Sequence, residues 1–127
     1  MHPGSNDMKE IKEKSDVDKL VTLFYETALV DPMLAPFFKG MDFEAHKPRM
    51  IHFWSFVLID EPGYKTNVTE KHMHMPLKSE HFDRWIFLFK ETVDEHFEGE
   101  IAERAKHRAE LVGWTILSKL EKYGPEA

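Results

Sequence analysis

The chain has 127 residues, of which 42% are hydrophobic and 31% charged, a composition typical of a single globular domain and not of a disordered chain. Its 23 acidic and 17 basic residues give a net charge of -6, and the basic residues form no cluster, so we expect neither nucleic acid nor an anionic membrane as a partner. The absence of cysteine excludes disulfides, thiolate-bound zinc and iron-sulfur clusters, which leaves His, Met, Tyr and carboxylates as metal ligands.

Residues 1–14 are predicted to form a flexible N-terminal tail, and residues 15–124 a single folded domain. The opening segment MHPGSND is polar and contains both proline and glycine, and Met8 is a candidate for the true first residue. No apolar run is long enough to span a membrane, and no basic flank precedes an apolar stretch. The sequence therefore predicts neither a membrane span nor a secretory signal, and we expect a cytoplasmic protein.

Four stretches repeat apolar residues at helical spacing, and none alternates over strand length, so the predicted fold class is all-α. The first helix is expected to begin at an N-cap of Ser15 or Asp16 and to stop at Asp31 and Pro32. Tyr25 lies beside its apolar stripe. That stripe consists of Val17, Leu20, Val21, Phe24, Ala28 and Leu29.

The second helix follows a short turn over residues 33–38 and is predicted to end at the turn signal DEPG, residues 60–63. Pro48 lies near its start, and proline is well tolerated only in the first turn of a helix. The helix should therefore begin near Ala45 or His46, or be distorted there. Its apolar stripe consists of Phe43, Met50, Phe53, Trp54, Val57 and Leu58.

His72 is expected in a short helix that follows a loop over residues 63–69. Pro76 must end this helix, because proline cannot donate a backbone hydrogen bond and disfavours helical geometry at Met75. The segment has few large apolar side chains of its own. Something else must hold it in place, and a metal bond through His72 would do so.

The third helix is predicted to be capped by Ser79 and ended or interrupted by Gly99, and the fourth to stop at Gly124 and Pro125. In the third, the inner face is Phe82, Trp85, Ile86, Phe89 and Val93, and Asp83, Arg84, Lys90 and Asp94 face water. In the fourth, the inner stripe is Ala105, Ala109, Val112, Ile116, Leu120 and Tyr123.

Periodicity leaves the use of these helices open, since four of them form either a plain bundle or a globin-like arrangement around a cofactor. His72 and His74 are two residues apart and point about 200° apart on a helix, so only one can face a given metal. They are either exposed histidines or part of a zinc or copper site that needs further ligands, and no HExxH motif is present. Tyr25 is either a buried donor or a boundary residue, and Trp54 and Trp85 also suit a plain core.

The order of several motifs resembles the truncated haemoglobins, in particular group III. These motifs are FY at residues 24–25, LAPFF at 34–38, HKPRMIHFW at 46–54, KHMHMP at 71–76 and HFDRWIFLF at 81–89. The resemblance covers roughly residues 17–123. The glycine motifs common in the other truncated groups are missing, as in group III.

This resemblance implies a truncated globin-like two-on-two helical sandwich around haem b. In it, His72 matches the proximal iron ligand, and Tyr25 and Trp85 match the distal hydrogen-bond donors. Phe38 matches the aromatic residue packed on the haem face, and His46 the gate on the distal helix. A phenol and an indole N–H in a dry pocket would stabilise negative charge on a gas ligand.

Further contacts to the haem are expected around the same pocket. Arg49 is three residues beyond His46, so its cation could meet a haem propionate, and Lys71 is a second candidate. Met50, Phe24 and Phe53 would line the pocket with apolar surface.

The function implied is a haem protein that binds dioxygen, nitric oxide or carbon monoxide at a His-ligated iron, in oxygen or nitric oxide chemistry. Two distal donors suit slow release, nitric oxide dioxygenase or peroxidase-like activity better than oxygen delivery. The chain has no flavin or nicotinamide motif, so an enzyme would need a partner reductase. The alternative is a non-catalytic helical interaction module without haem.

Overall fold

The computed structural model describes residues 8–64, 72–73 and 75–125. Within these ranges the backbone forms four long helices and no β-strand, which confirms the predicted all-α class; one isolated bridge joins Lys9 to Phe97. The helices are α1 (Lys14–Ala28), α2 (Phe43–Ile59), α3 (Ser79–His96) and α4 (Glu100–Tyr123), with a 3₁₀ helix (Ala35–Phe38) between α1 and α2.

The four helices pack as two pairs. Helix α1 packs against α2, and α3 packs against α4, while contacts of α1 with α3 and of α2 with α4 join the pairs. This arrangement is the predicted two-on-two sandwich. Because α1 repeats its apolar residues every three or four positions, one stripe reaches the core; its buried apolar members are Val17, Leu20, Val21, Phe24 and Ala28.

Helix α1 begins earlier than the sequence predicts. Its N-cap is Glu13, and Asp16 lies inside the first turn. The carboxylate of Asp16 reaches backward and accepts hydrogen bonds from the backbone N–H groups of Lys12 at 2.9 Å and Glu13 at 3.1 Å. An acidic residue at the third helical position can therefore accept the free backbone N–H groups at the start of a helix. The predicted N-cap of Ser15 or Asp16 is wrong, since the N-cap is Glu13.

The predicted tail over residues 1–14 also differs from the structure in its second half. Ile11 is only 2% exposed and belongs to the hydrophobic core. The carbonyl of Lys9 accepts a hydrogen bond from the backbone N–H of Glu98 at 3.0 Å. The segment over residues 8–13 is thus held on the domain by the buried Ile11 and by the backbone bond of Lys9, although most of its side chains are exposed. Residues 1–7 lie outside the described residues.

Helix α2 begins at Phe43, two residues before Ala45, the earlier of the two predicted starts. The reason is Asp42, which is the N-cap and accepts a hydrogen bond from the backbone N–H of Ala45 at 3.3 Å. Pro48 consequently lies inside the helix. The helix ends at the predicted turn, where Asp60 adopts a left-handed conformation with φ of 59°.

The bounds of α3 and α4 follow the predicted signals with small shifts. Ser79 is the first residue of α3 and not its cap, which is Lys78. Gly99, with φ of 99°, separates the two helices as the N-cap of α4, and α4 ends before Gly124. Tyr123, predicted on the inner stripe, is 70% exposed, because the last turn of α4 extends past the buried Leu120.

No helix in the described ranges is long and apolar enough to cross a membrane.

Candidate functional site

Tyr25 lies on α1 within a group of aromatic rings. Its ring centroid is 4.8 Å from that of Phe24, 5.4 Å from that of Phe43 and 5.8 Å from that of Phe38. From α3, Trp85 reaches the same place and donates its indole N–H to the phenol oxygen of Tyr25. We call these five residues the Tyr25 cluster. It contains three of the predicted pocket residues besides Tyr25 itself, and it adds Phe43, which the sequence indicated only as a member of a helix stripe.

The phenol of Tyr25 is held in its neutral form. Burial raises its pKa to about 12, and the hydrogen bond from Trp85 opposes this rise only in part. A neutral phenol keeps its O–H proton. Tyr25 is therefore a hydrogen-bond donor at every physiological pH.

The indole of Trp85 is fixed by stacking on two further rings. Its plane lies 23° from that of Phe89 at 5.5 Å and 24° from that of Trp54 at 6.5 Å. Phe24 meets it edge-on at 5.7 Å. Stacked and edge-to-face pairs are favourable aromatic geometries, so the direction of the Trp85 N–H is set by the core and not by solvent.

An ion pair next to this cluster was not predicted. Arg84, expected to face water, donates from Nε at 2.9 Å and Nη2 at 2.7 Å to Oδ1 of Asp31. Asp31, expected only to stop α1, is 5% exposed. The two residues are 53 positions apart in the sequence, so no local spacing could have revealed the pair.

The predicted pocket residues of α2 lie along one face of the helix. His46, Met50 and Phe53 recur at intervals of four and three residues, which brings them to the same side. Met50 and Phe53 are partly buried against the main core, whereas His46 and Arg49 are exposed near the start of the helix. The structure thus brings Met50 and Phe53 to the core and leaves His46 and Arg49 at the surface.

His72 lies beside a separate apolar cluster. Its side chain is partly buried, and its carbonyl accepts a hydrogen bond from the backbone N–H of Met75 at 3.1 Å. The neighbouring Met73 packs against buried residues of α3 and α4, namely Phe82, Ile116 and Leu120. Lys71 and His74 lie outside the described residues, as does part of the predicted short helix.

The apolar interior is divided into two clusters with incompletely buried edges. The edge of the main cluster includes Tyr25, Phe38, Met50, Phe53, Val57 and Trp85. The edge of the second consists of Met73, Leu77, Val112 and Leu117. Helix α3 contributes to both, through Trp85 and Phe82.

Other candidate sites in the described ranges are weaker. No group of three or more His, Asp or Glu side chains there is placed to hold a metal by itself. An open groove of about 260 Å³ lies where α1 meets α2, lined by Lys14, Ser15, Asp18, Pro48 and Ile51. None of these residues belongs to the Tyr25 cluster, so the groove is not part of the predicted pocket.

Comparison with known proteins agrees with this arrangement. Residues 9–114 match the family model described as bacterial-like globin. A group 3 truncated haemoglobin of Campylobacter jejuni is 27% identical over 122 residues, which cover 91% of this chain and 96% of that protein. The crystal structure of the group III truncated haemoglobin from Campylobacter jejuni superposes with a TM-score of 0.80 at 28% identity, over 91% of this chain and 96% of that one. The resemblance inferred from the sequence motifs is confirmed.

Proposed function

The chain belongs to the bacterial-like globin family, and on this premise we propose that it holds haem b through His72 and binds a diatomic gas next to Tyr25 and Trp85. Globins are haem proteins that bind such gases. The observation that supports the specific proposal is the Tyr25 cluster, in which a phenol and an indole are hydrogen-bonded to each other and enclosed by aromatic rings.

When bound, haem would supply an iron that binds a small gas. His72 would hold that iron through its imidazole, which is the usual iron ligand in the globins. The partly exposed edges of the two apolar clusters would cover the faces of the ring, with Phe24 behind Tyr25 and with Phe38, Met50 and Phe53 at the main cluster. These residues would keep water out of the haem pocket, which would slow oxidation of the iron.

Charged groups at the surface would meet the polar edge of the cofactor. Arg49 is exposed on α2 and is our first candidate for a propionate partner. Lys71 is the second candidate and lies outside the described residues. His46 is exposed on the first turns of α2, in line with Met50, which suits a gate that opens a path from solvent to the pocket better than a fixed ligand.

Tyr25 and Trp85 would determine how firmly the gas is held. The indole N–H of Trp85 goes to the phenol oxygen, so the phenol proton is left for another acceptor. Donors that are already oriented in a water-free site stabilise negative charge strongly. The expected results are tight binding and slow release, which favour nitric oxide dioxygenase or peroxidase-like chemistry over oxygen delivery. Either reaction would need electrons from a partner reductase.

Absorption spectra of the purified protein test this proposal. We expect a Soret band that shifts when carbon monoxide is added to the dithionite-reduced protein, and that is lost or altered in His72→Ala. His107→Ala is the control, because His107 is exposed on α4. A protein that stays colourless after haem titration would overturn the proposal in favour of a helical interaction module. Stoichiometric zinc or copper without a Soret band would favour a metal site at His72 and His74.

A further inference from the structure

We propose that the Asp31–Arg84 ion pair is a positioning device that sets the geometry between Tyr25 and Trp85. Neither residue reaches the phenol oxygen or the indole N–H. Their effect on the site is exerted through the helices that carry Tyr25 and Trp85, so they are positioning residues and not catalytic ones. This inference rests on the proposed function for its consequence, but not for its geometry.

The two oxygens of Asp31 have separate partners. Oδ1 accepts both hydrogen bonds from Arg84, while Oδ2 accepts from the backbone N–H groups of Met33 at 3.1 Å and Leu34 at 3.3 Å. The hydrogen bonds from Arg84, outweighing the effect of burial, lower the pKa of Asp31, so the carboxyl is charged at neutral pH. A buried charge with every oxygen occupied has one preferred geometry, since any displacement loses a charge-assisted bond.

Asp31 and Arg84 each lie in a segment next to residues of the Tyr25 cluster. Asp31 follows α1, three residues after its last residue, Ala28, and its Oδ2 shapes the turn into the 3₁₀ helix that ends at Phe38. Phe38 packs on the Tyr25 ring. The pair therefore fixes, through one carboxylate, the end of the helix that carries Tyr25 and the turn that carries one of its neighbours.

Arg84, the second residue of the ion pair, is the residue before Trp85 on α3. Neighbours on a helix point about 100° apart, so Arg84 can grip Asp31 while Trp85 points to Tyr25. A second contact restrains the guanidinium, which lies 5.5 Å from the ring centroid of Phe87 on the same helix. The ion pair thus joins the segment that follows α1 to α3, one residue from Trp85.

The test uses the haem-loaded full chain in its ferrous carbonyl form, which is diamagnetic. Two readouts are compared with the wild type: the stretching frequency of carbon monoxide and the proton chemical shift of the Trp85 indole. The variants are Arg84→Met and Arg84→Lys, with Tyr25→Phe as the reference for a lost distal bond. Lys90→Met is the matched control, because Lys90 also lies on α3 and forms an ion pair, with Glu110 of α4 at 2.6 Å.

We expect Arg84→Met to move both readouts towards those of Tyr25→Phe, and to accelerate dioxygen dissociation roughly threefold to tenfold, the range for one disturbed hydrogen bond. Arg84→Lys keeps the charge without the two-bond geometry, so both of its readouts should fall between those of Arg84→Met and the wild type. This variant also tests the positioning role if Arg84→Met does not fold. Lys90→Met should leave both readouts at their wild-type values.

Two results separate failure of this inference from failure of the proposed function. If Tyr25→Phe moves both readouts but neither Arg84 variant does, the pair contributes only to stability and the inference is overturned. If Tyr25→Phe leaves the carbon monoxide frequency unchanged while the Arg84 variants shift the indole resonance, the positioning role stands and the proposed gas site fails.

Discussion

The indole N–H of Trp85 and the phenol oxygen of Tyr25 form a hydrogen bond that links α3 to α1 inside an aromatic enclosure. The bond has a direction: Trp85 donates and Tyr25 accepts, so the phenol still has its own proton to give. Removing one partner is therefore not equivalent to removing the other. Without Tyr25 the site loses the donor, whereas without Trp85 it loses only the group that orients the donor.

Tyr25→Phe should accelerate dioxygen dissociation more than Trp85→Phe does. Loss of a hydrogen bond to a charged group corresponds to roughly a tenfold to hundredfold faster rate, and loss of an orienting bond to roughly threefold to tenfold. Stopped-flow displacement of dioxygen by carbon monoxide measures both rates. Tyr123→Phe, at a position 70% exposed, is the control. An unchanged rate in Tyr25→Phe would remove Tyr25 from the proposed gas site.

The phenol of Tyr25 should titrate only in strong alkali. Its pKa in the folded protein is about 12 against an ordinary 10.0, so the stability that comes from keeping it neutral is fully present below pH 10 and is lost as the pH rises through 12. Phenolate absorbance, followed with far-ultraviolet circular dichroism, should show a late ionisation whose amplitude falls in Tyr25→Phe and is unchanged in Tyr123→Phe; the remainder belongs to Tyr64, whose pKa burial also raises. If the amplitude of the late ionisation is unchanged in Tyr25→Phe, Tyr25 does not contribute to it.

The sequence was sufficient to predict the helices because each of them carries its own periodic apolar stripe. Their order and the motifs along them also predicted the two-on-two sandwich. Helix starts were less accurate, since a start depends on which polar side chain captures the free backbone N–H groups. At α1 that side chain is Asp16, which lies inside the first turn, and at α2 it is Asp42, which precedes the helix. Several nearby residues could have served equally well.

The candidate site was predictable only in part. Residues that belong to a motif, such as Tyr25, Phe38 and Trp85, could be named from the sequence, and the structure brings these three together. The Asp31–Arg84 pair could not be named, because the partners are 53 positions apart and each has an ordinary local explanation, one as a helix stop and the other as a surface charge. Contacts of this kind become visible only when α1 and α3 are packed.

Asp16→Ala should lower the free energy of unfolding by about 1 to 3 kcal/mol, because its carboxylate accepts two backbone N–H groups and pairs with Lys9. Burial favours protonation of Asp16, but those contacts outweigh it and lower its pKa. Its contribution is thus present above pH 3.8 and lost as the pH falls through the lower folded value. Urea unfolding of the wild type and of Asp16→Ala at pH 7 and pH 3 measures this contribution to the free energy of unfolding. Asp18→Ala, with a side chain 50% exposed, should have a much smaller effect; equal losses in both variants would contradict the capping role.

Ser55→Ala should leave the protein as stable as the wild type or stabilise it by up to about 1 kcal/mol. The Ser55 hydroxyl is fully buried and has no hydrogen-bond partner within the described ranges, so its desolvation is uncompensated. Thr92→Val is the contrast, because the Thr92 hydroxyl donates to the Leu88 carbonyl at 2.9 Å and its removal should destabilise by roughly 0.5 to 1.5 kcal/mol. Thermal unfolding of both variants decides; a destabilised Ser55→Ala would indicate a buried water bonded to the hydroxyl.

Gly99→Ala should destabilise the turn between α3 and α4 more than Gly40→Ala destabilises its own. Both glycines have positive φ, 99° and 82°, so both alanines meet backbone strain of about 1 to 2 kcal/mol. Only at Gly99 would the added Cβ also meet a neighbour, the Cγ atom of Glu10 at 3.0 Å, whereas nothing lies within 4 Å at Gly40.

The difference between the two variants therefore isolates the contact of the N-terminal segment with the start of α4. Urea unfolding of both, repeated in an Glu10→Ala background, separates that contact from strain. We expect the excess loss in Gly99→Ala to shrink when Glu10 is shortened, because the crowding atom has gone. If the excess loss of stability persists in that background, the crowding does not come from the Glu10 side chain. The N-terminal segment would then be held in place by Ile11 and the Lys9 backbone bond, so that it cannot move away from the added Cβ.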